Sequence, residues 1–99
     1  MGYLAKYVIE SKKGGRIVKT EIKNIPFTAP NDNKAYEEAI KLIENLWTEY
    51  TDKRKHPDFT MDTDVYLEDL TSTLNPFDIR PSINKETVER CRSYEDYRK

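Results

Sequence analysis

Apolar and polar residues alternate along two runs near the start of the chain, as they do in β-strands that bury one face. The runs cover residues 3–10 and 18–23, and Gly14-Gly15 lies between them. A diglycine accepts the positive φ angles of a type I′ turn, so the pattern predicts an antiparallel hairpin. A turn centred on Gly14-Gly15 pairs Tyr7 with Ile22, and centring it one residue earlier keeps the same faces inward. The predicted apolar face consists of Tyr3, Tyr7, Ile9, Val18 and Ile22.

Residues 33–52 repeat apolar side chains at spacings of three and four, which is typical of an amphipathic helix. Asn31, Asp32 or Asn33 can cap its first turn. Its apolar stripe consists of Tyr36, Ala39, Ile40, Ile43, Leu46, Trp47 and Tyr50. We expect this stripe to pack on the apolar face of the hairpin. Its residues Trp47, Ile43, Ile40 and Tyr36 should face Tyr7, Ile9, Val18 and Ile22.

Two interpretations compete for the next segment. Residues 59–67 alternate as a strand does, whereas Tyr66, Leu67, Leu70 and Leu74 fit one face of a helix. The spacing favours a short extended start over residues 59–61 and then a helix over residues 64–74. The two prolines of residues 75–81 predict an extended connector laid over the core.

Residues 82–99 predict a terminal helix, capped by Ser82 or Asn84 and carrying a narrow apolar stripe of Val88, Cys91 and Tyr94. Taken together, the four segments predict one α+β domain spanning residues 1–99. It consists of an N-terminal antiparallel β-hairpin packed on a long amphipathic helix, a second short helix or strand, and a C-terminal helix.

Composition adds expectations about stability and location. Charged residues make up 35% of the chain and apolar residues 36%, so the core is small and a homodimer would add useful burial. One cysteine excludes an intrachain disulfide, and no apolar run has the length of a membrane span. We therefore expect a soluble, cytoplasmic protein. The absence of Gln beside 21 Glu and Lys residues favours a thermostable protein.

Charge is unevenly distributed along the chain, although the net charge is only −1. The first 23 residues carry four more cations than carboxylates, and residues 56–78 contain no Lys or Arg. Two candidate binding surfaces follow from this distribution. The predicted basic patch comprises Lys12, Lys13, Arg16, Lys53, Arg54 and Lys55. The predicted acidic patch comprises Asp62, Asp64, Glu68 and Asp69.

Chemistry-bearing motifs are not found at the spacings that catalysis or metal binding requires. The diglycine joins two strands, whereas a phosphate loop opens a helix. Tyr66 and Leu67 stand where a calcium loop needs a ligand and a glycine. His56 and Cys91 have no local arrangement that predicts a nucleophile. We predict no catalytic residue, metal or cofactor.

The favoured hypothesis is a non-catalytic protein-interaction module that binds a partner through separate basic and acidic patches. In length and composition the chain is similar to small accessory proteins of viruses of bacteria and archaea, so a host protein is one expected partner. The alternative is a nucleic-acid-binding protein that uses the basic hairpin tip and the basic C-terminus. No membrane partner is expected.

Overall fold

The computed structural model of the protein describes residues 1–52 and 62–92. Within these residues, three strands form one antiparallel sheet in the order β2-β1-β3, accompanied by two helices. The predicted α+β fold is confirmed, including the N-terminal hairpin and the helix that packs on it. The elements are β1 (Gly2–Lys13), β2 (Arg16–Thr28), α1 (Asp32–Asp52), β3 (Asp62–Ser72), a 3-10 turn (Arg80–Ser82) and α2 (Lys85–Cys91).

The hairpin turn has the predicted geometry. Gly14 and Gly15 adopt φ angles of 58° and 79°, in the left-handed region that a type I′ turn requires at both central positions. A side chain at either position would strain the backbone, which explains why both residues are glycine. The twist of this turn matches the twist of the two long strands that it joins.

The register of the hairpin differs from the prediction, because a β-bulge interrupts the pairing opposite Ser11 and Lys12. Val18 is the extra residue on β2, and beyond it Tyr7 pairs with Lys23 and not with Ile22. One extra residue transfers every later side chain of β2 to the opposite face of the sheet. Val18 and Ile22, predicted to lie in the core, are instead 55% and 57% exposed.

The core lies between α1 and the half of the sheet made by β1 and β3. Alternate residues of β1 are buried against the helix, and β3 contributes Val65, Leu67 and Leu70. The hydroxyl of Tyr7, which is fully buried, donates to the carbonyl of Ala39 inside α1. The buried residues of β1 on this inner face are Tyr3, Ala5, Tyr7, Ile9 and Ser11.

Polar contacts at both ends of α1 fix it on the sheet. Its start is capped as predicted, because Asn31 Oδ1 accepts from the Lys34 amide at 2.9 Å. The Tyr3 hydroxyl donates to Asp32 Oδ1 at 2.7 Å, and burial together with this carboxylate raises the pKa of Tyr3 to about 12. Near the other end, the Trp47 indole donates to the carbonyl of Thr63 at 3.0 Å. The helix therefore faces β1 and β3, and the prediction that Trp47 faces Val18 and Ile22 is wrong.

The helix predicted over residues 64–74 is wrong: β3 is a strand that runs antiparallel to β1. A second bulge explains the error. Glu68 is an extra residue in β3, so Leu67 and Leu70 both point to the core although they are three residues apart. That spacing imitates a helical face. The extended start predicted for residues 59–61 lies outside the described residues.

The connector lies over the core as predicted, although it ends in the 3-10 turn Arg80–Ser82, and the terminal helix α2 covers Lys85–Cys91 of the predicted residues 82–99. Ile79 is buried, and its amide donates to the carbonyl of Leu70 at 2.8 Å, so the connector lies over the core. Asn84 caps α2 by accepting from the Glu86 amide at 3.2 Å. Cys91 is buried against the core, whereas the predicted contact of Tyr94 lies outside the described residues.

Candidate functional site

The face of the sheet opposite α1, called here the outer face, is a candidate binding surface. Side chains alternate across a strand, so the residues of β1 between the buried ones point to this face. No element within residues 1–52 and 62–92 packs over it in the way that α1 covers the inner face. What it carries is set by the even-numbered residues of β1 and by the registers of the two flanking strands.

One half of the outer face, along β1 and β2, carries apolar side chains separated by polar pairs, because Lys6 stands opposite Asn24 and Glu10 opposite Thr20 on the same face. Its members Leu4, Ile17, Val18 and Ile22 are each between 43% and 57% exposed. Val8 lies among them and is only 5% exposed, because Ile22 and Tyr66 are its cross-strand neighbours. The apolar half comprises Leu4, Val8, Ile17, Val18 and Ile22.

The other half of the outer face, along β3, is acidic. Asp64, Glu68 and Asp69 are carried by this strand, and the lysines of β1 lie next to them. Lys12 Nζ lies 2.6 Å from Asp64 Oδ2, and Lys6 Nζ lies 3.5 Å from Glu68 Oε2. The Lys12 pair is the more enclosed, since the Asp64 side chain is only 12% exposed. These pairs neutralise part of the acidic half and leave it with net negative charge.

The structure brings members of the two predicted patches together. Lys12 of the basic patch and Asp64 of the acidic patch form an ion pair, and Asp62 stands opposite Lys12 in the strand ladder. Lys13 and Arg16 lie at the hairpin tip, where neither forms an ion pair with a described residue. The remaining predicted basic residues, Lys53, Arg54 and Lys55, lie outside the described residues. A binding role for either patch stays a prediction.

Arg80 donates hydrogen bonds to the backbone of β3 at its bulge. Arg80 Nη1 donates to the carbonyl of Leu67 at 2.8 Å, and Nη2 donates to the carbonyl of Glu68. Arg80 Nε also lies 2.8 Å from Asp78 Oδ2. Burial alone would raise the pKa of Asp78, but the hydrogen bonds and charge of Arg80 outweigh it and hold that pKa below its usual value. The guanidinium therefore acts within the fold and is not aimed at a ligand.

Two cavities of the described residues lie beside the helices, and the second is lined in part by the buried thiol of Cys91. The first, of about 350 Å³, is lined by Arg80, Asp78 and apolar side chains of α1 and β3. The second, of about 440 Å³, surrounds Glu37, which pairs with Lys34 at 3.2 Å and Arg90 at 3.0 Å. The hydrogen bond from Lys34 is the main reason that the pKa of Glu37 is lowered. A carboxylate with a lowered pKa is a poor general acid or base near neutral pH.

The residues that sequence analysis missed are those of the apolar half. Ile17 was not singled out, and Val18 and Ile22 were predicted to be core. A relevant pattern does exist in β1, where Leu4 and Val8 are apolar at positions that alternate with the buried ones. A strand with apolar residues on both faces indicates that the second face also has apolar neighbours.

Comparison with protein-family models, curated proteins and solved structures finds no match for this chain. In the described part of the chain, no helix has the length and apolarity that crossing a bilayer demands. Within the same residues, no three His, Cys, Asp or Glu side chains are grouped closely enough to hold a metal ion. The function is therefore inferred from the outer face itself.

Proposed function

We propose that the chain is a non-catalytic protein-interaction module and that its outer face binds a partner protein. The supporting observation is the apolar half, which exposes Leu4, Ile17, Val18 and Ile22 on one side of the sheet. Exposed apolar side chains gathered on one face and bordered by charges are typical of protein interfaces. The hydrophobic core lies on the inner face, and these four side chains are not part of it.

The acidic half specifies the chemistry of the partner. Glu68 and Asp69 lie on β3 beside β1, and Lys6, Lys12 and Arg80 are described cations that oppose the negative charge there. A partner that presents an apolar strip next to basic residues would match both halves in one orientation. Charge complementarity of this kind sets the docking orientation and the association rate more than the final affinity.

Two substitutions test the two halves separately. Ile17→Lys places a charge in the apolar half, and Asp69→Lys reverses a charge in the acidic half. The purified chain, immobilised, captures proteins from a lysate of the native host, and a captured protein is then purified and titrated against each variant. We expect each substitution to weaken its binding at least tenfold, because a buried charge and a like-charge contact each cost more than about 1.4 kcal/mol.

Leu74→Lys supplies the matched control. Leu74 is 78% exposed and lies in the turn after β3, at the opposite end of the sheet from Ile17. This variant should bind as the wild-type chain does. Equal binding by all three variants, with circular dichroism showing that each is folded, would contradict the proposal.

Nucleic-acid binding is the second candidate, and the exposed hairpin tip supports it. Lys13 and Arg16 are the two cations there that lack an ion pair among described residues, whereas Lys12 is held by Asp64. Two phosphate contacts give weak affinity with a shallow salt dependence. Fluorescence anisotropy with random duplex and single-stranded DNA tests this function. Loss of low-salt binding on replacing both residues with Ser would favour it, and no binding at low salt would exclude it.

The accessory role expected from length and composition stays a prediction, as do the cytoplasmic location and thermostability. The proposed module needs no catalytic residue, metal or cofactor for its action. The partner that this module requires is a protein with an apolar strip bordered by basic residues.

A further inference from the structure

We propose that β2 pairs with the β2 strand of a second copy of this chain, antiparallel and with Ile22 on the two-fold axis. The two three-stranded sheets then form one continuous sheet of six strands. This inference concerns the open edge of the sheet and does not depend on the outer face binding another protein. Within the described residues, β2 pairs with β1 alone and runs over Arg16–Thr28, so one long edge is unpaired.

The backbone of β2 directs hydrogen-bonding groups to that edge. Met1 and Ala29 exchange two hydrogen bonds, from the Ala29 amide at 3.2 Å and from the Met1 amino group at 3.3 Å. Such pairs alternate with non-bonded pairs along an antiparallel ladder, so the amides and carbonyls of Thr20, Ile22 and Asn24 face away from β1. A second strand centred on Ile22 would satisfy these groups with about six hydrogen bonds.

Charge along β2 selects this axis. With Ile22 on the axis, Glu21 faces Lys23 of the second copy, and the same contact recurs on the other side of the axis. Thr20 then faces Asn24, which is a polar pair suited to hydrogen bonding. Residues 20–24 therefore match the same residues of an antiparallel second copy, as a two-fold symmetric interface requires.

Other axes are less favourable. An axis through Lys19, Glu21 or Lys23 places like charges directly opposite each other, which destabilises a strand pair. An axis through Thr20 also matches charges, but it places the bulge at Val18 inside the paired segment. With Ile22 on the axis, residues 19–25 lie between that bulge and Pro26, which has no amide to donate.

The apolar row across the sheet supports the same axis. Ile22, Val8 and Tyr66 are cross-strand neighbours on the outer face, and Ile22 is 57% exposed at the open end of this row. Ile22 of the second copy would continue the row and cover that end. Each apolar contact between facing side chains adds to the backbone pairing.

Lysines on an edge strand commonly prevent such pairing, so their positions matter. Lys19 Nζ lies 2.7 Å from Glu21 Oε1, and Lys23 Nζ lies 3.7 Å from Glu49 Oε2 and 6.0 Å from the ring centre of Tyr50. Both lysines are therefore held near carboxylates on the inner side. Glu21 of the second copy would share Lys23 with Glu49, so the lysine would lie between the two carboxylates.

Charge exchange on the purified chain tests the pairing by analytical ultracentrifugation. We expect a wild-type dimer whose dissociation constant rises at least tenfold in Glu21→Lys and in Lys23→Glu, because each places two like-charge contacts across the axis. The double variant E21K/K23E should regain the dimer. Lys13→Glu, a charge reversal at the tip, is the control and should dimerise as the wild type does. A wild-type chain that stays monomeric, or a double variant that stays dissociated, would overturn the proposal.

Cross-linking tests the axis itself. Ile22→Cys should give a covalent dimer on oxidation, because facing residues on the axis have Cα atoms within disulfide range. Asn24→Cys should not, because the two copies of residue 24 would lie about 14 Å apart along the strand. The native Cys91 is buried, so the wild-type chain supplies the baseline. Efficient cross-linking of Thr20→Cys in place of Ile22→Cys would refute the Ile22 axis.

Discussion

Replacing Arg80 with Ala should destabilise the fold through the bulge of β3. In the native protein this side chain donates to the carbonyls of Leu67 and Glu68 and pairs with Asp78. The extra residue of a bulge leaves backbone groups without ladder partners, and Arg80 supplies the missing donors. The truncation removes both donors and leaves the Asp78 carboxylate without its cation.

The magnitude follows from those contacts. A hydrogen bond from a charged donor contributes roughly 1.5–3 kcal/mol when its partner is buried. The Arg80 side chain is 34% exposed, so water can replace part of what is lost. We therefore expect Arg80→Ala to lower the free energy of unfolding by about 2 kcal/mol, less than the sum of two such bonds. Arg80→Lys should recover only part of this, because an ammonium cannot reach both carbonyls and Asp78 in the planar geometry of a guanidinium.

Urea denaturation followed by far-UV circular dichroism at pH 7 measures the difference. The slope of the transition should equal that of the wild type, which would show that both chains expose the same amount of surface on unfolding. A loss below about 0.5 kcal/mol in Arg80→Ala would refute the assignment, since surface substitutions without a structural role fall in that range.

The pH dependence gives an independent check through Asp78. Its pKa in the folded chain is held below the ordinary value of 3.8, so the unfolded chain binds the proton more readily. The stabilisation is therefore complete above about pH 4 and is lost as pH falls through the lowered folded pKa. The difference in stability between the wild type and Asp78→Asn should be large at pH 7 and shrink toward pH 2. A constant difference would contradict this mechanism.

Three further substitutions test other parts of the fold. Trp47→Ala should lower the free energy of unfolding by about 3 kcal/mol in thermal unfolding, because it removes a half-buried aromatic ring. Trp47→Phe loses only the hydrogen bond to Thr63 and should lower it by about 1 kcal/mol. Deleting Val18 should leave thermal unfolding cooperative, since the residue pairs on both sides of the bulge can persist without it. Loss of the cooperative transition would show that the fold requires the bulge. Gly15→Ala should cost about 1 kcal/mol in urea because φ is positive there, and an unchanged midpoint would argue against the type I′ turn.

Local patterns predicted the elements whose structure depends on local interactions. The diglycine specified its turn, and Asn31 and Asn84 were among the predicted caps of the two helices. The stripe of α1 was also predictable, because helical spacing depends only on the residues of the helix itself. These features account for the fold class.

The bulges were not predictable in the same way. A strand carries no local mark of where its ladder will skip a residue, because the skip depends on what lies on both faces. The bulge at Val18 leaves Ile17, Val18 and Ile22 exposed. It also turns Lys23 to the inner face, where it reaches Glu49. The contact of Lys12 with Asp64 was missed for a related reason, since it exists only if β3 is a strand beside β1.

The concentration of the core on one side of the sheet has a consequence for how this protein can evolve. Residues on the inner face, such as Tyr7 and Ile9, are fully buried and constrain one another's size. Residues on the outer face, such as Ile17 and Thr20, can be exchanged at little cost in folding. Selection can therefore alter what the outer face recognises without first having to rebuild the scaffold that presents it.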